Sequence, residues 1–210
     1  MATFNEEAEI LDLLNSVSQV ADFFVVSDDG STDKTVELAE NWGASVLKFE
    51  HTGLPETIKA RGVDFIKNMF KTDTWILMLD ADERIDQATQ DKIVTFIRRD
   101  AENISHVWFN LVEFIDGVQT RAFLKCRLFR AGAARFSESV HEDDLFGGQG
   151  ASFGWVVIHR KTKEKQVLRE KEYIQTYAKL LNEGKVTQEW VDRCVGFHYF
   201  VKEVGLVPHG

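Results

Sequence analysis

The stretch Trp75-Ile76-Leu77-Met78-Leu79-Asp80-Ala81-Asp82-Glu83-Arg84 decides the fold that this sequence predicts. Its first five residues form a continuous apolar run, which is short enough for a fully buried strand of a parallel sheet. The run stops abruptly at Asp80 and Asp82. Ligands of parallel α/β sheets bind beyond the carboxyl ends of the strands, so we expect these two carboxylates to lie at a ligand site.

The residues before this strand alternate between helical and strand patterns. Their apolar spacing predicts helices within 5–20, from Thr32 or Asp33 to Trp42 and at 56–70, and strands at 23–26 and 45–49. Such alternation predicts an α/β fold in which helices flank a mostly parallel central sheet. The acidic clusters at 28–33 and 80–83 would then share one edge of that sheet.

The pattern changes after residue 104. Here the sequence predicts a hairpin turn at Asp116-Gly117, a helix at 160–183, and strands at 106–114, 119–129 and 155–159. The basic residues of the helix between 160 and 171 are expected to face solvent, with contact to an acceptor or an anionic membrane as the alternative. The buried stripe of this helix is predicted to be Leu168, Tyr173, Tyr177 and Leu180. No internal repeat or low-complexity linker divides the chain, so we predict a single domain over 1–210.

Composition narrows the class of protein. A length of 210 residues with 44% hydrophobic content suffices for a buried core, and a net charge of -9 argues against a nucleic-acid-binding surface. Cys126 and Cys194 fit no zinc or redox spacing, and no apolar run reaches the roughly 18 residues of a membrane span. Since a signal-peptide pattern is also lacking, we expect a soluble cytoplasmic protein. The short start at Met1-Ala2 and the abrupt end at Gly210 suggest a domain of a longer multi-domain chain.

Asp80 and Asp82 have a spacing that suits a metal site. Two carboxylates one residue apart, where a strand opens into a loop, could share a hard cation such as Mg²⁺ or Mn²⁺. The metal would bridge the phosphates of a nucleotide and stabilise a diphosphate leaving group. The alternative is structural, with Asp80 capping the next helix and Asp82 solvated. Asp28-Asp29-Gly30 likewise suits either hydrogen bonds to a base or ribose, or an ordinary acidic turn.

Several of these segments together resemble a known family. Phe4-Asn5-Glu6-Glu7, then residues 26–35, then residues 79–84 are similar to the ordered signatures of family 2 glycosyltransferases, which have the GT-A fold. Lys59-Ala60-Arg61 occupies the place of that family's basic nucleotide-contacting segment. Residues 127–130 and 140–143 resemble the subgroup that includes lipopolysaccharide core glucosyltransferases, and the whole resemblance covers residues 3–180.

The resemblance implies a metal-dependent, inverting transfer of a sugar from a nucleotide diphosphate sugar, most often a UDP-sugar, to a hydroxyl of a glycan or glycoconjugate. The half 1–103 would bind the nucleotide sugar and the half 104–210 the acceptor. Mn²⁺ or Mg²⁺ would bind Asp82 and Asp80, completed by His159, which follows a short strand as a metal-binding histidine does in many GT-A enzymes. The positions of the family's nucleotide and donor-sugar contacts are held by Thr3, Asp28, Asp29, Lys59, Arg61 and Asp80.

An inverting transfer also needs a carboxylate that takes the proton of the acceptor hydroxyl. Glu142 and Asp143 match the family's element that supplies this base, and Asp143 is placed slightly ahead of Glu142. Two other classes stay open. One is a module that binds nucleotide sugar or glycan without turnover. The other is a phosphatase with a nucleophilic first aspartate, although Glu83-Arg84 departs from the Thr or Val that typically follows in that class.

Overall fold

The computed structural model describes residues 1–99, 103–136 and 145–195 of the chain. Sheet A consists of β1 (Ala2–Thr3), β2 (Val25–Asp28) and β3 (Ser45–Lys48), which run parallel in that order. The helices that follow the first two strands are α1 (Ile10–Ser16) and α2 (Thr35–Trp42), and both pack apolar residues against Val26. Because β1 and β2 are parallel, their carboxyl ends meet, and Thr3 is paired with Asp28.

Sheet B lies further along the chain. Its strands are β4 (Trp75–Leu77), β5 (Glu83–Arg84), β6 (His106–Ile115), β7 (Val118–Arg130) and β10 (Gly150–Lys161), while β8 (Ala134–Arg135) and β9 (Leu145–Phe146) form a short ribbon. The order across sheet B is β4-β7-β6-β10-β5. Strands β6 and β10 are parallel, and the other neighbours are antiparallel. The remaining helices are α3 (Pro55–Met69), α4 (Gln87–Arg98), α5 (Lys163–Asn182) and α6 (Gln188–Val195).

The core of sheet B is built on alternate residues of β6. Val107, Phe109 and Leu111 are buried and pack with Leu128 and Val157 of the neighbouring strands. Burial of one such side chain stabilises the fold by about 1.5–3 kcal/mol, and a one-residue slip would turn the whole apolar set towards solvent. This core therefore fixes the register of β6 against β10. That register decides which polar residues lie side by side near the ends of these two strands.

The predicted hairpin at Asp116-Gly117 is confirmed. The two residues have φ angles of 49° and 79° and connect β6 to β7 through the pair Ile115 and Val118. Positive φ at both central residues is the geometry of a two-residue turn whose twist matches that of the strands, and an Asp-Gly pair adopts it readily. The predicted α/β class is also confirmed, with the strands of sheet A parallel as expected.

The parallel pairing predicted for the strand at 75–79 is wrong. Strand β4 ends at Leu77 and pairs antiparallel with β7, with Ile76 opposite Phe129. The reason is the β6–β7 hairpin, whose returning strand lies along the edge of β4. An apolar run shows that a strand is buried, but it carries no information about the direction of the neighbouring strand.

The buried stripe predicted for α5 is wrong at Leu168, whose exposed fraction is 62%. The helix buries Tyr177 as predicted, and its other buried residues are Gln166, Glu170 and Ile174. Gln166 Nε2 donates a hydrogen bond to Glu170 Oε1 at 2.8 Å, so the start of this face is polar.

Among the helices in the described part of the chain, none is both long and apolar enough to cross a membrane.

Candidate active site

Asp80 lies in the loop between β4 and β5 and forms ion pairs with two cations. Lys59 Nζ of α3 lies 2.8 Å from Asp80 Oδ1, and Arg127 Nη2 of β7 lies 3.3 Å from Asp80 Oδ2. Burial opposes ionisation of this carboxyl, but the two cations outweigh it and hold the pKa of Asp80 well below its ordinary value. Asp80 is therefore an anion at the mouth of the site, with 21% of its side chain exposed.

Asp82, two residues on, faces β10. Its Oδ1 lies 2.9 Å from His159 Nε2, and the backbone N–H of Arg160 donates to its carbonyl at 3.1 Å. The other carboxylate oxygen, Oδ2, is buried and has no hydrogen-bond partner among the described residues. Burial opposes ionisation of Asp82, yet the hydrogen bond with His159, together with nearby Arg169 and Lys165, holds its pKa well below the ordinary value.

Glu83 shapes the loop that carries both aspartates. It is fully buried, and its Oε1 accepts a hydrogen bond from Arg127 Nη2. Its Oε2 accepts the backbone N–H of Asp80 at 3.1 Å, which closes the turn of the loop. Burial raises the pKa of Glu83, and Arg127 opposes that effect. Glu83 and Arg127 thus form a buried ion pair. Both also contact Asp80, and these contacts orient its backbone and its carboxylate.

His159 stands between two carboxylates. On the side away from Asp82, its Nδ1 lies 3.6 Å from Glu113 Oε2, and Lys161 Nζ lies 3.1 Å from the same oxygen. Glu113 occupies this position because β6 and β10 pair it directly with His159. Glu113 thus lies behind the imidazole at a distance longer than a hydrogen bond, while Nε2 on the other side of the ring faces Asp82.

Two cations of α5 lie next to the site. Lys165 Nζ lies 2.6 Å from Glu6 Oε2, and Arg169 Nη2 forms an ion pair with Glu6 Oε1. The expectation that the basic residues of α5 face solvent is wrong for this pair. Glu6, Lys165 and Arg169 were not predicted as site residues, although the four-residue spacing of the two cations places them on one helical face shortly after the strand that carries His159.

Three of the residues predicted to contact the nucleotide, Thr3, Asp28 and Asp29, lie at the ends of β1 and β2. Thr3 Oγ1 donates to Asp28 Oδ1 at 3.2 Å, and Asp28 Oδ2 accepts the backbone N–H groups of Gly30 and Ser31 at 3.1 and 2.8 Å. Asp29 Oδ1 accepts the backbone N–H of Thr52 at 2.8 Å. These carboxylates therefore order the loops after β2 and β3, and their role towards a nucleotide stays a prediction.

Lys59 and Arg61 point in different directions from α3, as residues two apart on a helix do. Lys59 is paired with Asp80, whereas the guanidinium of exposed Arg61 lies 5.1 Å from the centre of the Phe49 ring. The structure thus pairs Lys59 with Asp80 and His159 with Asp82, two residues further along the same loop. Thr3, Asp28 and Asp29 form a separate hydrogen-bonded group at the end of sheet A, while Glu142 and Asp143 lie outside the described residues.

The site fits a metal ion that takes only part of its ligands from the protein. Within 1–99, 103–136 and 145–195, no group of three His, Cys, Asp or Glu side chains could hold a metal ion. Asp82 and His159 could nevertheless supply two ligands, since Asp82 Oδ2 is a buried oxygen with no hydrogen-bond partner in the described part of the chain. Mg²⁺ commonly binds one or two carboxylates and completes its shell with water and substrate phosphates.

Known relatives match part of the chain. It is 41% identical over 91 residues to an uncharacterized glycosyltransferase of Rickettsia bellii and 38% identical over 91 residues to one of Rickettsia typhi. Each alignment covers 43% of this chain and 29% of the relative. The chain therefore spans less than a third of the length of these relatives.

Solved structures share the fold across most of the chain. TarS of S. aureus superposes with a TM-score of 0.54 at 15% identity, covering 92% of this chain and 41% of TarS. Glucosyl-3-phosphoglycerate synthase of Mycobacterium tuberculosis, in complex with Mn²⁺ and uridine-diphosphate-glucose, gives a TM-score of 0.50 at 16% identity, covering 89% of this chain and 78% of the synthase. At these identities the likeness shows the fold, which is the GT-A fold.

The family itself is shown by the sequence. The profile of the family described as "Glycosyl transferase family 2" matches residues 1–141, which is more than half of the chain. These residues include sheet A, the loop with Asp80 and Asp82, and the β6–β7 hairpin. The chain thus belongs to glycosyl transferase family 2.

Proposed function

We propose that this domain is a metal-dependent, inverting glycosyltransferase. It would move a sugar from a nucleotide diphosphate sugar, preferably a UDP-sugar, to a hydroxyl of a glycan or glycoconjugate. The observation that carries the proposal is the contact of Asp82 with His159 beside the ionised Asp80, at the ends of strands from two parts of the chain. The Mn²⁺ and uridine-diphosphate-glucose bound by the similar mycobacterial synthase support the choice of metal and donor.

Asp82 and His159 would hold the metal ion, with Asp80 beside them. A bound Mn²⁺ or Mg²⁺ supplies Lewis-acid stabilisation of the diphosphate leaving group. Asp80, whose carboxylate is ionised and only partly covered, would accept hydrogen bonds from ribose or donor-sugar hydroxyls. Thr3, Asp28, Asp29, Lys59 and Arg61 would line the nucleotide site.

The general base is proposed to be Asp143, with Glu142 as the alternative. The carboxylate would take the acceptor's hydroxyl proton while that oxygen bonds to the anomeric carbon. The bond from the anomeric carbon to the diphosphate oxygen breaks at the same time, so the configuration inverts. Both residues lie outside the described ranges, and this assignment stands on the family resemblance.

The domain division and the location of the protein are also proposals. The half 1–103 would bind the nucleotide sugar, and the half 104–210 would bind the acceptor. The resemblance of residues 127–130 to lipopolysaccharide core glucosyltransferases supports a glycan or glycoconjugate acceptor. Cys126 and Cys194 are both buried and form no disulfide within the described residues, which agrees with the reducing cytoplasm that we propose as the location.

A thermal-shift panel tests the donor class. Nucleoside diphosphates and nucleotide sugars would be added to the wild type with and without Mn²⁺, alongside Asp82→Asn and a control, Asp91→Asn, on the exposed face of α4. A ligand at a hundredfold excess over its Kd stabilises the native state by about 2.7 kcal/mol. We expect a Mn²⁺-dependent shift with UDP and one UDP-sugar in the wild type and the control, but not in Asp82→Asn.

The same panel can reject the proposal. An absence of any nucleotide-dependent shift in the wild type would exclude a nucleotide-sugar enzyme. Stabilisation by phosphate analogues with Mg²⁺ instead would favour the phosphatase alternative. Donor binding without transfer to any acceptor would favour the binding module. Once a product is obtained, the NMR coupling of its anomeric proton shows whether the configuration has inverted.

A further inference from the structure

Helix α5 directs Lys165 and Arg169 towards the acidic loop. Arg169 Nη1 lies 3.8 Å from Asp82 Oδ2, and Lys165 Nζ lies 3.6 Å from the same oxygen. Both distances are longer than a hydrogen bond, so these cations interact with Asp82 through charge alone. With 28% and 27% of their side chains exposed, the two cations can still be reached from solvent.

Glu6 anchors the two cations. It is 2% exposed, and its carboxylate forms close ion pairs with both Lys165 and Arg169. Its backbone N–H donates to Thr35 Oγ1 at 2.7 Å, which fixes Glu6 to the start of α2. Burial raises the pKa of Glu6, whereas Arg169 and Lys165 lower it. Glu6 thereby ties α5 to the end of sheet A and holds the two cations beside Asp82.

The hydrogen-bond capacity of the pair is only partly used. Within the described residues, Lys165 and Arg169 each make one side-chain hydrogen bond, and both bonds go to Glu6. An ammonium has three N–H donors and a guanidinium has five. Further donors are therefore free for an anionic ligand next to Asp82, and the planar fork of an arginine suits phosphate oxygens.

We infer that Lys165 and Arg169 form a diphosphate-binding arm of the active site, held in place by Glu6. The inference rests on the proposed function, since it takes the nucleotide diphosphate as the ligand. In this arrangement the two cations contact the phosphate oxygens, and Glu6 is a positioning residue that does not touch the ligand.

The charges around Asp82 indicate whether the diphosphate and the metal ion bind separately or together. The cations Lys165 and Arg169 balance the carboxylates Glu6 and Asp82. A diphosphate alone would bring excess negative charge next to Asp82, and a divalent cation alone would face Lys165 and Arg169. Entry of the two together reduces the excess charge that either would bring alone, so diphosphate binding should depend on the metal ion.

Calorimetric titration of the intact chain tests the inference, with pyrophosphate and UDP as probes in the presence of Mn²⁺. The variants are Lys165→Gln and Arg169→Gln. The control is Lys171→Gln, which removes an exposed lysine of the same helix. Loss of a charge-assisted hydrogen bond weakens binding by about tenfold or more. We expect that increase in Kd for both probes in the two variants, and a wild-type Kd in the control.

One further variant, Arg169→Lys, completes the test. Arg169→Lys retains the charge but loses the planar fork, so it should bind both probes with a Kd between those of the wild type and Arg169→Gln. It also serves if Arg169→Gln does not fold. Equal Kd values for Lys165→Gln, Arg169→Gln and Lys171→Gln, with a wild type that binds, would overturn the inference alone. A wild type that binds neither probe would overturn the proposed function as well.

Discussion

His159 Nε2 lies 2.9 Å from Asp82 Oδ1, although 77 residues separate the two in the chain. The contact exists because β5, which begins directly after Asp82, pairs antiparallel with β10 and sets Glu83 opposite His159. Glu113 supports the imidazole from the opposite side. The pairing of β5 with β10 thus brings two residues that are distant in the sequence together at one candidate metal site.

Removing either member of this pair should abolish metal-dependent behaviour. In Asp82→Asn and His159→Gln we expect transfer to fall by about a hundredfold or more, because the several kcal/mol of charge stabilisation from a Lewis acid is lost. Circular dichroism should show that both variants remain folded. Activity assays across a Mn²⁺ titration provide the measurement, and normal turnover with retained metal dependence in Asp82→Asn would refute the assignment.

The buried pair of Glu83 and Arg127 should matter for stability. Arg127→Met leaves the fully buried Glu83 without its guanidinium partner, and breaking such a pair costs about 3–5 kcal/mol. The double variant Glu83→Gln with Arg127→Met should lose less, since no buried charge is then left uncompensated. Urea unfolding at pH 7 measures both, with Arg98→Met on the exposed face of α4 as the control. A loss below 1 kcal/mol in Arg127→Met would contradict this expectation.

Asp143→Asn tests the general base. We expect transfer to fall by about 100- to 10,000-fold, the contribution of a positioned base, while donor binding stays near that of the wild type. Glu142→Gln is the matched comparison, and the larger loss identifies the base. If Asp143→Asn instead weakens donor binding, the residue belongs to the nucleotide site.

His106 should make stability depend on pH. Its ring is 7% exposed and stacks on Phe146 at 5.2 Å, and burial lowers the pKa of His106 below its ordinary value. The unfolded chain therefore takes up this proton at a higher pH than the folded chain. Its contribution to stability is lost as the pH falls through the unfolded value of about 6.5.

Urea unfolding at pH 7.5 and pH 5.5 checks this direction. Between these values, the wild type should lose more stability than His106→Gln, which cannot be protonated. The control is His51→Gln, because the side chain of His51 is 38% exposed. An equal loss in the wild type and His106→Gln would show that His106 does not titrate differently in the two states.

Several parts of the fold and site follow from local sequence. The abrupt change from five apolar residues to Asp80 and Asp82 marks a strand end, because burial and solvation are decided within a few residues. The Asp116-Gly117 turn is equally local, since its backbone angles suit those two residue types. The ordered motifs gave the family, which the profile match over residues 1–141 confirms.

The tertiary structure decided what meets at those strand ends. Strand β4 pairs antiparallel with β7, and Lys165 forms an ion pair with Glu6, which is 159 residues away in the chain. The sequence pattern of each of these segments carries no information about which other segment it will contact. A charged side chain on a helix is well hydrated when it faces water, so a pattern of charged residues predicts a solvent-exposed helix face. Such a side chain faces inward only where the fold supplies opposite charge, as Glu6 and Asp82 do for Lys165 and Arg169.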